Sequence, residues 1–260
     1  MKLFVTGGDG FIGRQICRIA TLRGHRVASI SRSGRPAGAE AWIEHVEWIT
    51  GNVLQPETWR HHLGGADAVI HCVGIIRERP KEGLTYERIN DDAAEVVAWE
   101  AEHAGVPRFV FFSSDTPLVP SRYIEAKRRA EQSLRRSPIR ESILRPTFVY
   151  GPERPASVVG AGVLRVVERI PGLQEAIRAN RPLRVEQVAL AAVRAATDDG
   201  YDGLMTTDHI AYLAGEEWHQ YLDGHRRARP GVRALLMLAG GLAAGTAAGV
   251  AWRRLRRTGR

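Results

Sequence analysis

The chain of 260 residues is long enough for one large hydrophobic core with a small annex, and 44% of its residues are hydrophobic, as in globular proteins. Its net charge of +8 would suit a nucleic-acid-binding surface, but nine arginines and no acidic residue fall within 226–260, which leaves −1 for the first 225 residues. The positive charge is therefore confined to a tail, and we expect no nucleic-acid partner.

A glycine-rich turn follows the first predicted strand. The apolar run 3–5 leads into Thr-Gly-Gly-Asp-Gly-Phe-Ile-Gly at 6–13, and a helical segment spans 11–22. Gly7 allows the tight turn, Gly10 lets a pyrophosphate approach the backbone, and Gly13 lets the helix pack closely on the strand. The free N–H groups at the helix start favour a phosphate. This order predicts dinucleotide binding, with a purely structural turn as the alternative. The predicted cofactor contacts here are Thr6, Gly7, Gly10, Phe11, Ile12 and Gly13.

The end of the second predicted strand, 26–30, bears on the choice of cofactor. An acidic residue there would bind both ribose hydroxyls and repel a 2′-phosphate, whereas this chain has Ser31 and Arg32. We therefore predict that NADP(H) is preferred and that NAD(H) is possible. The alternative interpretation is a solvated basic turn, since arginines are mostly exposed.

Strand-like and helical segments continue to alternate. Strands are predicted at 46–49, 68–74 and 108–114, and helices at 55–63 and 85–104. This alternation predicts an α/β protein with a Rossmann-type, doubly wound parallel sheet, in which ligands bind at the carboxyl ends of the strands. The further cofactor contacts predicted at those ends are Asn52, Val53, Cys72, Val73, Gly74 and Pro146.

Tyr123 and Lys127 form a candidate proton-transfer pair. Their i,i+4 spacing places phenol and ammonium on one face of a helix, and a nearby cation is one of the few groups that lowers the pKa of a tyrosine. The preceding strand ends in Ser113 and Ser114, which supply hydroxyls at the same edge of the sheet. A surface pair is the alternative, but the position downstream of a dinucleotide motif favours a catalytic site.

These motifs resemble those of the short-chain dehydrogenase/reductase superfamily. The similarity covers about residues 1–213, and 73–78, 86–90 and 123–131 are similar to its atypical branch, which includes the NADPH-binding accessory subunit of respiratory complex I and its bacterial relatives. The resemblance implies that Tyr123 is the general acid or base and that Lys127 holds the nicotinamide ribose. It also implies that Ser113 or Ser114 binds the substrate oxygen and that Asn90 supports the lysine.

The rest of the chain is predicted to form a small substrate annex and a C-terminal hydrophobic helix. We divide the chain into a cofactor domain at 1–150, the annex at 151–225 and a basic-flanked helix at 226–260. Residues 234–252 carry no charge, and 19 helical residues nearly cross a bilayer core. Glycines recur every four residues at 241, 245 and 249, which suits close helix packing in a membrane or a dimer. A packed or peripheral helix is the alternative.

The location of the protein follows from these segments and from the cysteines. Met1 leads directly into the first predicted strand, so we expect no signal peptide, and Cys17 and Cys72 lie in apolar segments that predict free, buried thiols and no metal site. We therefore expect the protein at the cytoplasmic face of a membrane, held by a single C-terminal anchor.

Three functions are compatible with the sequence. We favour an NADPH-dependent oxidoreductase that acts on a carbonyl or alcohol of a small apolar, possibly quinone- or lipid-like, substrate. A non-catalytic NADPH-binding accessory or sensor protein of a membrane complex would use the same cofactor pocket. A nucleotide-sugar epimerase or dehydratase would need a larger annex than 151–225 provides.

Overall fold

The computed structural model describes residues 1–116, 119–167 and 181–215. The chain divides into two compact units, one of residues 1–149 and 183–214 and the other of residues 150–182 and 215–260. Residues 183–214, which the sequence analysis placed in the annex, therefore group with the predicted cofactor domain. The described part of the second unit contains one helix, Pro155–Val167.

The first unit is built on a seven-stranded parallel sheet in the order β3-β2-β1-β4-β5-β6-β9. The strand order reverses between β1 and β4, and their paired last residues, Thr6 and His71, bring both carboxyl ends to one place. The predicted Rossmann-type α/β fold is thus confirmed. The strands are β1 Lys2–Thr6, β2 Arg26–Ser31, β3 Val46–Thr50, β4 Ala68–His71, β5 Arg108–Phe112, β6 Arg140–Arg145, β7 Phe148–Tyr150, β8 Pro182–Arg184 and β9 Gly203–Thr206. Strands β7 and β8 form a separate two-stranded sheet.

Helices cover both faces of the main sheet, because successive strand residues point to opposite sides and both sides are apolar. Val5 of β1 packs in a core with Ile16 and Val188, whereas its neighbour Phe4 packs in a second core with Val97. The α-helices of this unit are α1 Phe11–Leu22, α2 Ala93–His103, α3 Ser121–Leu134, α5 Val185–Thr197 and α6 Thr207–Leu213, and α4 Pro155–Val167 belongs to the second unit.

Two predicted helices differ from the structure. The segment 55–63 forms two short 3₁₀ turns, Pro56–Thr58 and Arg60–Leu63, and between them Trp59 is buried and stacks on Phe4 with ring centroids 5.7 Å apart. The segment 85–104 begins with a π-helical turn, Glu87–Asp92, before α2 continues it. Such turns contain one residue more than an α-helical turn, so they change which side chains face the sheet.

Within 1–116, 119–167 and 181–215, every helix is too short or too polar to cross a bilayer. The predicted hydrophobic helix at 234–252, its basic flanks and its glycine repeat lie outside the described residues.

Candidate functional site

The glycine turn lies where β1 ends and α1 begins. Gly7 has φ of +77°, and its N–H donates to the carbonyl of Ile30 at 2.7 Å. The N–H of Gly10 donates to the Gly7 carbonyl at 3.0 Å, and a Cβ on Gly13 would lie only 2.1 Å from that same oxygen. The turn and the first helical turn are therefore in contact along the backbone. Because the next predicted contacts, Phe11 and Ile12, begin α1, the amino-terminal end of this helix, with its positive dipole, lies at the carboxyl edge of the sheet and suits a cofactor diphosphate.

The end of β2 places a cation beside this turn. The Ser31 hydroxyl donates to the Gly34 carbonyl at 3.0 Å, which shapes the loop after β2. The Ser33 hydroxyl donates to the carboxylate of Asp9, so this loop is tied to the glycine turn. Arg32 is exposed, and no side chain in the described part of the chain pairs with it. Its guanidinium is therefore available to a ligand bound at this edge.

The strand ends on either side of the turn hold the remaining predicted cofactor contacts. Asn52 is half-buried and its side-chain oxygen accepts from the N–H of Leu54 at 3.1 Å, whereas Val53 is buried in the core. The N–H of Cys72 donates to the Thr6 carbonyl at 3.0 Å, and a Cβ on Gly7 would lie 3.3 Å from Val73 Cγ2. The Cys72–Val73 backbone thus lines the turn, and burial raises the pKa of the Cys72 thiol well above its usual value of 9.0.

Lys127 and Asn90 meet at Gly74. The ammonium of the buried Lys127 donates to the Phe112 carbonyl at 2.8 Å, and burial lowers its pKa to about 8. The Asn90 side chain binds both backbone polar groups of Ile75, accepting from the N–H at 2.8 Å and donating to the carbonyl at 3.0 Å. A Cβ on Gly74 would lie 3.0 Å from Asn90 Oδ1 and 3.3 Å from Lys127 Nζ. The absence of a side chain at Gly74 therefore lets the polar atoms of Asn90 and Lys127 approach the backbone at the end of β4.

Tyr123 is buried on α3 beside Ser114. Burial raises the pKa of its phenol, a hydrogen bond with Ser114 lowers it, and the nearby Tyr86 raises it; the net shift is upward. The expected lowering of this pKa by Lys127 is absent, because burial is the dominant effect and the ammonium is bound to the Phe112 carbonyl. At neutral pH the phenol keeps its proton.

The two serines at the end of β5 have different environments. The Ser113 hydroxyl accepts from Arg128 at 3.0 Å, whereas Ser114 contacts the phenol of Tyr123. The hydroxyl of Ser114 also lies 3.5 Å from the carbonyl of Pro146, which follows β6. The structure therefore brings Ser114, and not Ser113, together with Tyr123.

A buried charge network beneath Ser113 was missed by the sequence analysis. Glu131 is 2% exposed, accepts from Arg128 at 2.7 Å and from Arg145 Nε at 2.8 Å, and forms a second bond with Arg145 Nη2. Burial would raise the pKa of this carboxyl, but the arginines and Ser113 outweigh it and the pKa is lowered. Glu131 follows Lys127 by four residues, so the periodicity that places Tyr123 and Lys127 together also places Glu131 on their face.

A second missed residue is His71, the last residue of β4. It is fully buried, its Nδ1 lies 2.9 Å from Thr6 Oγ1, and its ring stacks on Phe109 and Phe111 of β5 with centroids 6.1 and 6.0 Å away. Burial and the charge of Lys127 lower its pKa to about 3, so the ring is neutral. The sequence did contain a signal for this residue, because a histidine is unusual within an apolar strand.

Within the described residues, no cluster of three or more His, Cys, Asp or Glu side chains could hold a metal ion.

The strand order, the glycine turn at the point of reversal and the helix that begins directly after this turn define a dinucleotide-binding Rossmann protein. Residues 7–166, well over half of the chain, match the NAD(P)H-binding family. The chain belongs to this family, and its motifs and relatives place it in the atypical branch of the short-chain dehydrogenase/reductase superfamily.

Relatives span much of the chain. An uncharacterized chloroplastic protein of Arabidopsis thaliana is 31% identical over 83% of this chain and 78% of its own length. MIOREX complex component 2 of Saccharomyces cerevisiae is 30% identical over 60% of this chain and 75% of its own length. Ceramide reductase of Caulobacter vibrioides is 34% identical over 57% of this chain and 46% of its own length.

Solved structures agree on the fold. MoeE5 in complex with UDP-glucuronic acid and NAD superimposes with a TM-score of 0.60 at 20% identity, over 84% of this chain and 82% of that chain. At this level of identity the likeness concerns the fold alone.

Proposed function

We propose that this protein is an NADPH-dependent oxidoreductase that acts on a carbonyl or alcohol of a small apolar, quinone- or lipid-like substrate. The single observation that carries the proposal is a neutral phenol, Tyr123, in contact with Ser114 and one helical turn from the buried ammonium of Lys127. A nicotinamide cofactor, when bound, supplies or accepts the hydride. The protein then has to bind that cofactor, hold the substrate oxygen and move one proton.

The raised pKa of Tyr123 supports reduction as the direction of reaction. A phenol that keeps its proton at neutral pH can donate it to a carbonyl oxygen that receives negative charge. The Ser114 hydroxyl would donate a hydrogen bond to the same oxygen. Lys127 and Asn90, which meet at Gly74, would bind and support the nicotinamide ribose.

The surroundings of Tyr123 support an apolar substrate. Tyr123 belongs to a small apolar cluster, separate from the two main cores, against which the partly buried Ile75, Val119 and Ile124 pack. Ile76 beside them is 52% exposed, although isoleucine usually lies in cores. An apolar chain bound there would cover this surface, which agrees with the lipid substrate in the name of the ceramide reductase relative.

The test is NADPH oxidation, followed at 340 nm, with ethyl 3-oxodecanoate, androstenedione and ubiquinone-1, and with UDP-glucuronic acid as the polar comparison. We expect turnover of at least one apolar carbonyl compound and a loss of roughly 10²- to 10⁴-fold in Tyr123→Phe, because proton transfer is removed. Unchanged turnover in Tyr123→Phe would refute the role of this residue. Turnover of the sugar nucleotide alone would favour the epimerase or dehydratase hypothesis.

We further propose that Arg32 confers a preference for NADPH over NADH. Its guanidinium is exposed at the end of β2 and is unpaired within the described residues. Arg32→Asp should weaken NADPH binding by about tenfold or more and leave NADH binding equal or stronger, since a charge-assisted bond contributes about 1.5–3 kcal/mol. Arg26→Asp is the matched control, because Arg26 is exposed at the opposite end of the same strand. If Arg32→Asp lost the same factor of affinity for NADPH and for NADH, the proposed role of Arg32 in cofactor preference would be contradicted.

The second candidate function is a non-catalytic NADPH-binding accessory or sensor protein of a membrane complex. The burial of Tyr123 favours it, because a buried phenol limits access of a substrate, and one relative is named as a component of a complex. If Tyr123→Phe binds NADPH normally and restores the cellular role of a deletion strain in full, this second function is the correct one.

The segments after residue 150 carry a separate proposal. We propose that 151–225, apart from the residues 183–214 that belong to the first unit, contributes the substrate annex and that 226–260, with its uncharged stretch 234–252, anchors the protein at the cytoplasmic face of a membrane. The anchor would bring the site close to apolar substrates. Full-length protein should sediment with membranes and need detergent for release; recovery in the supernatant without detergent would refute the anchor.

A further inference from the structure

Tyr86 lies directly against Tyr123 but has no part in the proposed chemistry. The two rings meet edge to face, with centroids 5.6 Å apart and planes at 84°. Tyr86 is 5% exposed, and both rings belong to the small apolar cluster that is separate from the two main cores. Tyr86 therefore packs directly against one side of the Tyr123 ring.

The hydroxyl of Tyr86 holds the segment 75–78, which passes over the same cluster. It donates to the Ile76 carbonyl at 2.8 Å, while the N–H of Tyr86 donates to the Glu78 carboxylate at 3.0 Å. Asn90 binds both backbone polar groups of Ile75. Because Tyr86 and Asn90 are one helical turn apart, the same element fixes both ends of this segment.

The start of α3 is joined to the same assembly. Arg122 donates to Glu78 at 3.4 Å and to Glu87 at 3.0 Å, and Tyr123 is the next residue. These exposed ion pairs add little stability. Their effect is geometric, since they connect the first turn of α3 to the segment 75–78 and to the π-helical turn.

From this geometry we propose that Tyr86 is a positioning residue: its ring orients Tyr123, and its hydroxyl holds Ile76 as a wall of the substrate site. The inference rests on the proposed function, in which Tyr123 is the proton donor. A displacement of about 1 Å in a reacting group costs up to roughly 100-fold in rate, so a side chain that only packs on Tyr123 can control the reaction.

The two parts of Tyr86 have separable effects. Tyr86→Phe keeps the ring and removes the bond to Ile76, so with ethyl 3-oxodecanoate KM should rise about fivefold, and kcat should change by less than about twofold. Tyr86→Leu removes the ring, so kcat should fall by roughly 10- to 100-fold. Tyr212→Leu is the control, because Tyr212 is 81% exposed. Equal losses of kcat in Tyr86→Phe and Tyr86→Leu, or no loss in either, would overturn the proposal.

A spectroscopic titration separates this inference from the proposed function. The phenolate absorbance of a protein minus that of the same protein with Tyr123→Phe isolates the titration of Tyr123. In Tyr86→Leu this curve should move to lower pH, because the ring that helps to bury the phenol is missing, and in Tyr212→Leu it should not move. An unmoved curve in Tyr86→Leu would overturn the positioning role even in an active enzyme. A moved curve without NADPH oxidation would leave the packing correct and the proposed reaction wrong.

Discussion

Replacement of His71 by phenylalanine tests the electrostatics of the sheet next to the cofactor site. The imidazole is fully buried, neutral and stacked on two phenylalanine rings, and burial and the charge of Lys127 lower its pKa from the ordinary 6.5 to about 3. In the unfolded chain the ring takes up a proton near pH 6.5, whereas in the folded chain it does not. The stabilisation is therefore fully present above pH 6.5 and is lost as the pH falls from 6.5 towards 3.

The size of this effect follows from the two pKa values. Each pH unit below 6.5 lowers the free energy of unfolding by up to about 1.4 kcal/mol, so His71 should account for about 2 kcal/mol of the loss between pH 7 and pH 5. Phenylalanine keeps the ring stacking but leaves the Thr6 hydroxyl without its partner, which costs about 1–3 kcal/mol at every pH. His71→Phe should therefore be less stable than the wild type at pH 7, and its free energy of unfolding should change less with pH.

The assay is urea denaturation followed by circular dichroism at half-unit steps from pH 5 to pH 7.5. At each pH, the free energy of unfolding of His71→Phe is subtracted from that of the wild type, which removes the contributions of all other titrating groups. His61→Asn, at an exposed imidazole, is the matched control and should retain the wild-type pH dependence, because the buried ring remains. If the free energy of unfolding changed equally with pH in the wild type and in His71→Phe, the buried imidazole would be excluded as the cause of the pH dependence.

Three further substitutions test the network beside Tyr123. Glu131→Gln leaves Arg145 without its buried carboxylate, so thermal denaturation should show a loss of about 3–5 kcal/mol in the free energy of unfolding; a loss below about 1 kcal/mol would contradict it. Ser114→Ala should lower kcat by about tenfold or more with little change in stability, because the contact with Tyr123 is lost, whereas Ser113→Ala should mainly affect stability. The reverse order of the two kcat values would exclude Ser114 as the assisting serine.

The fold and the cofactor turn could be predicted because both are local. Residues 3–22 contain a strand, three spaced glycines and a helix in sequence, and the glycines satisfy steric limits that act within a few residues. The parallel sheet followed from repetition of this unit. The helix predicted at 55–63 was wrong because packing of the buried Trp59 against Phe4 outweighs local propensity.

The arrangement around the proposed proton donor, Tyr123, could be predicted from the sequence only in part. Tyr123 and Lys127 share a helix, so their spacing was informative, but the pKa of Tyr123 depends on burial and on Tyr86, which is 37 positions earlier in the chain. The choice between Ser113 and Ser114 depends on Arg128, whose direction the sequence does not show. Long-range contacts of this kind decide which groups meet, and neither periodicity nor spacing encodes them.

The π-helical turn Glu87–Asp92 makes this site adjustable by a change in length. Conversion of a π turn to an α turn removes one residue. Each residue of an α-helix advances the chain by about 100° around the helix axis. Deletion of a single residue here would thus rotate Tyr86 relative to α2 while α2 keeps its packing in the core. A one-residue deletion or insertion at this turn is therefore a route by which homologous chains can reshape the substrate wall without rebuilding the sheet.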